Sequence, residues 1–306
     1  MSRKKQIAVA WTWVAALSVV SLAAAAPNDF RMDRLGNPVA GATGYDPRAN
    51  GNFRALTREL ASALTASTLA PPLSLGVDGF AFATELSLVT LSQNAQFLLP
   101  TESGSPSALS MPGIHVRKGL PFSFELGGRA AWLGKSGMGT ATLELKWAFI
   151  EGVSYLPVIA TRVWVTQLFN ARDLSLATGG VELDVGKRFR FADLFAFTPY
   201  AGYAVGWVNA SSGLVDFNRS RSAADSERTP DAGFVDTASF APVHGGDNAY
   251  NRFFAGGQLG FGMFQLGVEV AVLSSGSFEE TPAGAAKETR ELPAAFAFNS
   301  SLGIAF

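Results

Sequence analysis

Charged side chains recur at alternate positions inside otherwise apolar stretches of this 306-residue chain. They are Glu85, Arg117, Glu125, Arg129, Glu144, Lys146, Arg162, Glu182, Asp184, Arg188, Arg252 and Glu269, six acids and six bases. Residues two apart on a β-strand point to the same face. The spacing therefore gathers the charges on one face and leaves Phe, Leu, Val, Ile and Trp on the other. Charges turned toward an enclosed space can pair with one another, which offsets their desolvation. Alternatively they can form opposed rings that select polar or ionic solutes. Equal counts of the two signs are what pairing requires, whereas a selective constriction would concentrate one sign.

Few other residue types point to chemistry. The chain has two histidines and no cysteine, so it has no disulfide framework and no thiolate metal site. His115 alternates with Arg117 and belongs with the lumen charges. His244 stands near Asp247 in a long polar segment. A hydrolase needs a nucleophile, a base and an orienting acid; one His beside one Asp is equally an exposed loop pair, so no catalytic residue is assigned. No complete phosphate loop, nucleophile elbow or His-Glu-x-x-His zinc helix is present. No metal or other cofactor is expected.

The elements that must hold the charges are ten alternating segments. They run at about Gly76–Leu91, Gly113–Lys118, Phe122–Leu133, Thr140–Ile150, Pro157–Leu168, Leu174–Phe189, Phe195–Asn209, Asn251–Phe261, Phe264–Leu273 and Ala295–Phe306. Most are long for soluble strands, which average about 5–6 residues, and match the roughly 9–11 needed to cross a bilayer. Connections alternate between short (Gly119–Pro121, Glu151–Leu156, Arg190–Leu194, Gly262–Met263) and long (Ser92–Pro112, Gly134–Gly139, Phe169–Asp173, Ser211–Tyr250, Ser274–Ala294). The pattern predicts an all-β fold over residues 73–306: an antiparallel up-and-down transmembrane β-barrel of about ten strands, with eight or twelve as alternatives. The facing of Phe195–Asn209 is ambiguous, because both its faces are apolar or small.

Upstream, Arg3, Lys4 and Lys5 precede an apolar run from Ile7 to about Leu22 and the cluster Ala23–Ala26. That is the layout of a secretory signal peptide over residues 1–25. Its removal leaves 21 Lys+Arg against 25 Asp+Glu, which gives no basic excess for nucleic acid. Residues 26–72 do not alternate. Asn52 is a candidate cap for an amphipathic helix over Phe53–Ser67, with Phe53, Leu56, Leu60, Ala63 and Leu64 on one stripe. A helix on the periplasmic membrane face or on the barrel rim is the leading expectation for this segment, with a lumen plug and a small periplasmic contact module as alternatives; the plug is disfavoured because ten strands enclose a narrow bore.

The terminal Leu302-Gly303-Ile304-Ala305-Phe306, with Phe296 and Phe298 on the same face, resembles the C-terminal signature of Gram-negative outer-membrane β-barrel proteins. The resemblance covers about one strand, and the strand-and-loop layout extends it over residues 73–306. It implies residence in the cell outer membrane after export, contact with outer-membrane lipid, and a barrel-assembly machinery that reads Phe296, Phe298, Leu302, Ile304 and Phe306. The functional expectation is porin-like passage of small solutes through a charge-lined lumen. The alternative is a closed structural or surface-binding barrel. On that reading the extracellular loops, above all residues 211–250, contact small solutes or other extracellular ligands.

Overall fold

A computed structural model of the chain describes residues 30, 32–36, 48–65, 67–90, 108–153, 155–191, 195–216, 237–282 and 286–306. Residues 1–25, expected from sequence to be a signal peptide, lie outside the described residues.

Ten strands form one closed antiparallel barrel. They are β1 (Phe80–Thr90), β2 (Ala108–Leu120), β3 (Phe124–Trp132), β4 (Gly139–Ile150), β5 (Val158–Phe169), β6 (Leu174–Gly186), β7 (Phe195–Ser212), β8 (Ala249–Phe261), β9 (Phe264–Ser274) and β10 (Ala295–Ala305). Each pairs with its sequence neighbours, and β10 closes on β1 with Phe82 opposite Ile304 and Leu88 opposite Phe298. Closure leaves no unpaired edge. The even strand number puts the start of β1 and the end of β10 at one end, where Phe80 and Phe306 exchange backbone hydrogen bonds of 2.7 and 3.0 Å. The turns β2–β3, β4–β5, β6–β7 and β8–β9 share that end. The opposite end carries the three longest connections, β1–β2, β7–β8 and β9–β10.

β2 is longer than its sequence pattern suggests. Pro112 hides the continuation, since proline cannot donate to a ladder. The structure accommodates it where β2 has already parted from β3: the β2–β3 pairing stops at Gly113, and Pro112 faces Leu86 of β1. β7 also resolves. Phe195, Phe197, Tyr203 and Trp207 point outward, while Tyr200, Ala204 and Val208 are buried inside.

Of the outward strand positions only Lys118, at the turn end, is charged. Leu143, Leu145, Val163, Val165, Val181, Leu183, Val268 and Val270 form an exposed belt. Aromatic rings flank it, with Phe124, Trp147, Phe195, Phe261 and Phe306 toward the turns and Trp132, Phe169, Trp207 and Phe296 toward the loops. In water so large an apolar surface would drive association, and the banding matches what a bilayer asks of a barrel wall. Val270→Arg, placed at 56 % exposure in this belt, is expected to cost about 2–4 kcal/mol. Urea unfolding from lipid vesicles measures this; an unchanged midpoint would contradict the lipid-facing assignment.

One helix, α1 (Ala49–Leu64), lies inside the barrel against β6–β9. It starts before Asn52 and ends before Ser67. Asn52 is not its cap: its amide donates to Leu35 O at 2.9 Å and accepts from Arg290 at 2.9 Å. These tertiary partners, together with the close approach of Gly51 to Glu280, hold the extra first turn that local sequence does not mark.

Candidate functional site

The inward positions divide the lumen into two halves. Toward the turns they are the charged residues, and toward the loops they are Val89, Leu109, Met111, Leu133, Leu168, Leu174, Leu176, Val208 and Leu273, all buried.

In the charged half, ion pairs run from strand to strand around the wall. Arg129 meets Glu85 at 2.7 Å, and His115 bridges Glu85 and Glu144 at 2.9 and 2.8 Å. Arg162 joins Glu144 to Glu182, each at 2.7 Å. Arg252 continues the series, 3.2 Å from Glu182 and paired with Glu269. Asn299 of β10 and Tyr200 of β7 donate to Glu269 at 2.9 and 3.2 Å. A second group links Glu125 to Arg117 at 3.0 Å and to Lys146 at 3.2 Å. Every strand contributes a member. Each of these charges lies at 8 % exposure or less, where an unpaired ion would cost several kcal/mol.

Eleven of the twelve charges read from sequence are therefore buried inside the barrel. Asp184 is among them, and its two carboxylate oxygens make no hydrogen bond among the described residues. Arg188 stands apart. β6 ends at Gly186, and the Arg188 side chain is exposed at the turn end beside a cavity of about 90 Å³.

The charges do more than pair with each other. Residues 67–74 run through this half as an irregular strap, with Leu69 at φ 42°, and the charged side chains hold its backbone. Ser67 O accepts from Arg129 at 2.7 Å and Arg162 at 3.3 Å; Pro71 O and Leu73 O accept from Lys146 at 3.1 and 3.0 Å. Leu69 N donates to Glu269 at 3.1 Å, Thr68 Oγ1 to Glu182 at 2.9 Å, and Ser74 N to Glu151 at 2.8 Å. A strap without regular structure leaves its own amides and carbonyls unmet, and burying them bare is costly; the ionic wall supplies the partners.

The apolar half receives α1. The helix is buried around its circumference: Phe53, Ala55, Leu56, Thr57, Leu60 and Ala61 are all at 0 % exposure. The expected position on the periplasmic-side rim is thus replaced by a position inside the bore. A helix with side chains is about 10–12 Å across, and two features make room for it. Its own buried surface includes four alanines, Gly51 and Ser62. The wall beside it is thinned by glycines over which rings lie flat: a Cβ on Gly206 would come within 2.2 Å of the Tyr250 ring, and one on Gly256 within 2.7 Å of Tyr200. Tyr250 in turn accepts from Thr65 at 2.8 Å and bonds Thr178.

At the loop end, α1, the segment Ala241–Asn248 and the hairpin Ser277–Glu280 with Glu288–Glu291 enclose a cavity of about 490 Å³. Asn50, Arg54, His244, Asp247, Phe278 and Glu279 are among its lining residues. Arg54 donates to Asn248 Oδ1 at 2.6 Å and stacks its guanidinium over Phe278, 4.7 Å from the ring centroid. The side chains of His244 and Asp247 are exposed, and no hydrogen bond joins them among the described residues. Much of the loop read from sequence as residues 211–250 falls at 217–236, outside the described residues. Its ends pair as the short strands Val215–Asp216 and Thr237–Ala238, and Val243 bridges to Ala210.

Neither models of protein families nor curated proteins match the chain. Solved structures of outer-membrane proteins do. The attachment invasion locus protein Ail of Yersinia pestis matches at 9 % identity and TM-score 0.26, over 75 % of this chain and 99 % of that one. The outer-membrane protein OprG of Pseudomonas aeruginosa matches at 9 % and 0.32, over 78 % and 99 %. Neisserial surface protein A matches at 9 % and 0.28, over 74 % and 96 %.

Sequence reasoning did not find Tyr200, Tyr250, Thr68 or Asn299. Thr68, Tyr200 and Asn299 are polar among mostly small or apolar neighbours, and Tyr250 falls at the end of the segment read from sequence as a loop. The one available signal was the run of glycines facing Tyr residues across β7 and β8.

Proposed function

We propose that this chain is an outer-membrane barrel kept closed by its own N-terminal segment, and that it meets its ligands at the loop-end mouth rather than through the bore. The observation that carries this reading is the lumen itself: α1 fills the apolar half and the strap 67–74 fills the charged half. The cavity at the mouth lies in the range of about 300–1,000 Å³ usual for ligand pockets. It combines a cation held over an aromatic ring with acidic rim groups. The outward apolar belt is the surface for lipid. Phe296, Phe298, Leu302, Ile304 and Phe306 form one stripe on β10, which is what an assembly machinery reading alternate residues would meet. Solute passage, the other use of a charged lumen, would require the strap to leave its ionic partners.

Planar-bilayer recording on the refolded mature chain separates the two. The closed reading expects no stepwise current in the intact protein. Regular unitary steps at modest voltage would sink it and restore the pore.

A further inference from the structure

The direction in which the chain crosses the lumen decides where its N-terminal side ends up. Contacts along the segment descend in order from the loops to the turns. Arg48 pairs with Glu288 of the loop hairpin at 3.1 Å, and Asn50 accepts from Ala241 N at 2.8 Å. Arg58 reaches Ala249 O at the first residue of β8 at 2.8 Å, and Ser62 meets Ser275 at 3.0 Å. Thr68 meets Glu182 deeper in the wall. Lys146 holds Pro71 and Leu73, and Ser74 reaches Glu151 in the β4–β5 turn. The chain then enters β1 beside Phe306. This is one complete traverse of the barrel.

Upstream of α1 the described residues 32–36 lie on the loop side. Leu35 O accepts from Asn52, and the turn Met32–Leu35 packs against Val215–Asp216. Phe53, near the start of the helix, stacks on Phe240 with centroids 5.1 Å apart. An even strand count would return both ends of a simple barrel to one face. Here the traverse adds a crossing, so residues 32–36 and the C-terminal Phe306 lie on opposite faces.

We infer that the barrel displays its own N-terminal segment on the outside of the cell. The chain upstream of α1 emerges at the loop face, forms part of the mouth, and would carry any sequence joined ahead of Phe30 to that face. This rests on the closed-barrel reading above and on the long loops facing the cell exterior.

The chain has no cysteine, so single-cysteine variants can be labelled without background. Arg48→Cys reports the N-terminal side, Lys287→Cys the loop hairpin, and Tyr155→Cys the turn end; the side chains of Arg48 and Lys287 are 55 % and 61 % exposed and Tyr155 is 92 % exposed. Intact cells are treated with a membrane-impermeant maleimide, before and after permeabilising the outer membrane, and heat-modifiable migration confirms that each variant is folded. Arg48→Cys and Lys287→Cys are expected to label equally before and after, and Tyr155→Cys only after. Labelling of Lys287→Cys without Arg48→Cys in intact cells would overturn the display while leaving the orientation standing. Labelling of Tyr155→Cys alone in intact cells would overturn the orientation. Labelling of all three only after permeabilisation would overturn both.

Discussion

Arg162→Met is expected to lower the stability of the folded barrel by about 3–5 kcal/mol, the usual cost of removing one partner from a buried ionic group. The side chain is 2 % exposed and joins Glu144 and Glu182, each at 2.7 Å. It also donates to Ser67 O and Thr68 Oγ1 of the strap, each at 3.3 Å. Methionine keeps an unbranched apolar stem, shorter than arginine, and supplies none of these contacts, so carboxylates lose a cation in a site that water does not reach. The urea midpoint in lipid vesicles should fall well below that of the unaltered chain. Adding Glu144→Gln should recover part of the loss, because one of the charges left short of a partner is then gone. If Arg162→Met unfolds at the unaltered midpoint, the ionic belt contributes nothing to the fold.

The second large effect is on conductance. A chain that starts at Leu75 behind a signal peptide lacks α1 and the strap but keeps all ten strands. Its lumen is expected to be wet, since the charged half then has only water to replace the strap carbonyls, and the vacated bore is about as wide as a helix. Stepwise currents should appear in planar bilayers where the intact chain gives none. The apolar half loses its partner, so the variant should also unfold at lower urea; heat-modifiable migration identifies the folded fraction on which the recording is made. A folded variant that stays silent would mean that something other than residues 49–74 closes the bore.

Much of the barrel was legible because a strand with lipid on one side and charge on the other writes its period directly into the sequence. Glu144 and Lys146 between Leu143, Leu145 and Trp147 leave a single facing. The same rule concealed the loop-end half of the lumen. There the inward residues, such as Leu109, Leu176 and Val208, are as apolar as the outward ones, so alternation disappears where a helix rather than an ionic network fills the space. That also explains why β2 seemed to begin at Gly113 and why β7 showed no clear face. Its inward Tyr200 and Val208 are as apolar as its outward Phe197 and Trp207.

The helix was found at nearly its true position but given the wrong neighbours. A bore judged by strand number alone is too narrow for it. The room comes from pairs such as Gly206 beneath Tyr250 and Gly256 beneath Tyr200, which follow from register between strands distant in sequence. The strap was invisible for another reason. Residues 67–74 contribute mainly backbone groups, and no side-chain pattern announces that a carbonyl will meet Arg129 or Lys146.

The claim on which the rest depends is that residues 49–74 sit inside the barrel. Ser62 Oγ and Ser275 Oγ lie 3.0 Å apart, one on α1 and one just past β9, so Ser62→Cys with Ser275→Cys tests it directly. Mild oxidation of the folded protein should form this disulfide nearly completely, read as a cross-linked peptide after proteolysis. Ser87→Cys with Asn299→Cys, opposite each other on β1 and β10, serves as the wall control. Cross-linking of both pairs is the expected result; a wall pair that cross-links while the Ser62–Ser275 pair remains reduced would contradict the plugged barrel.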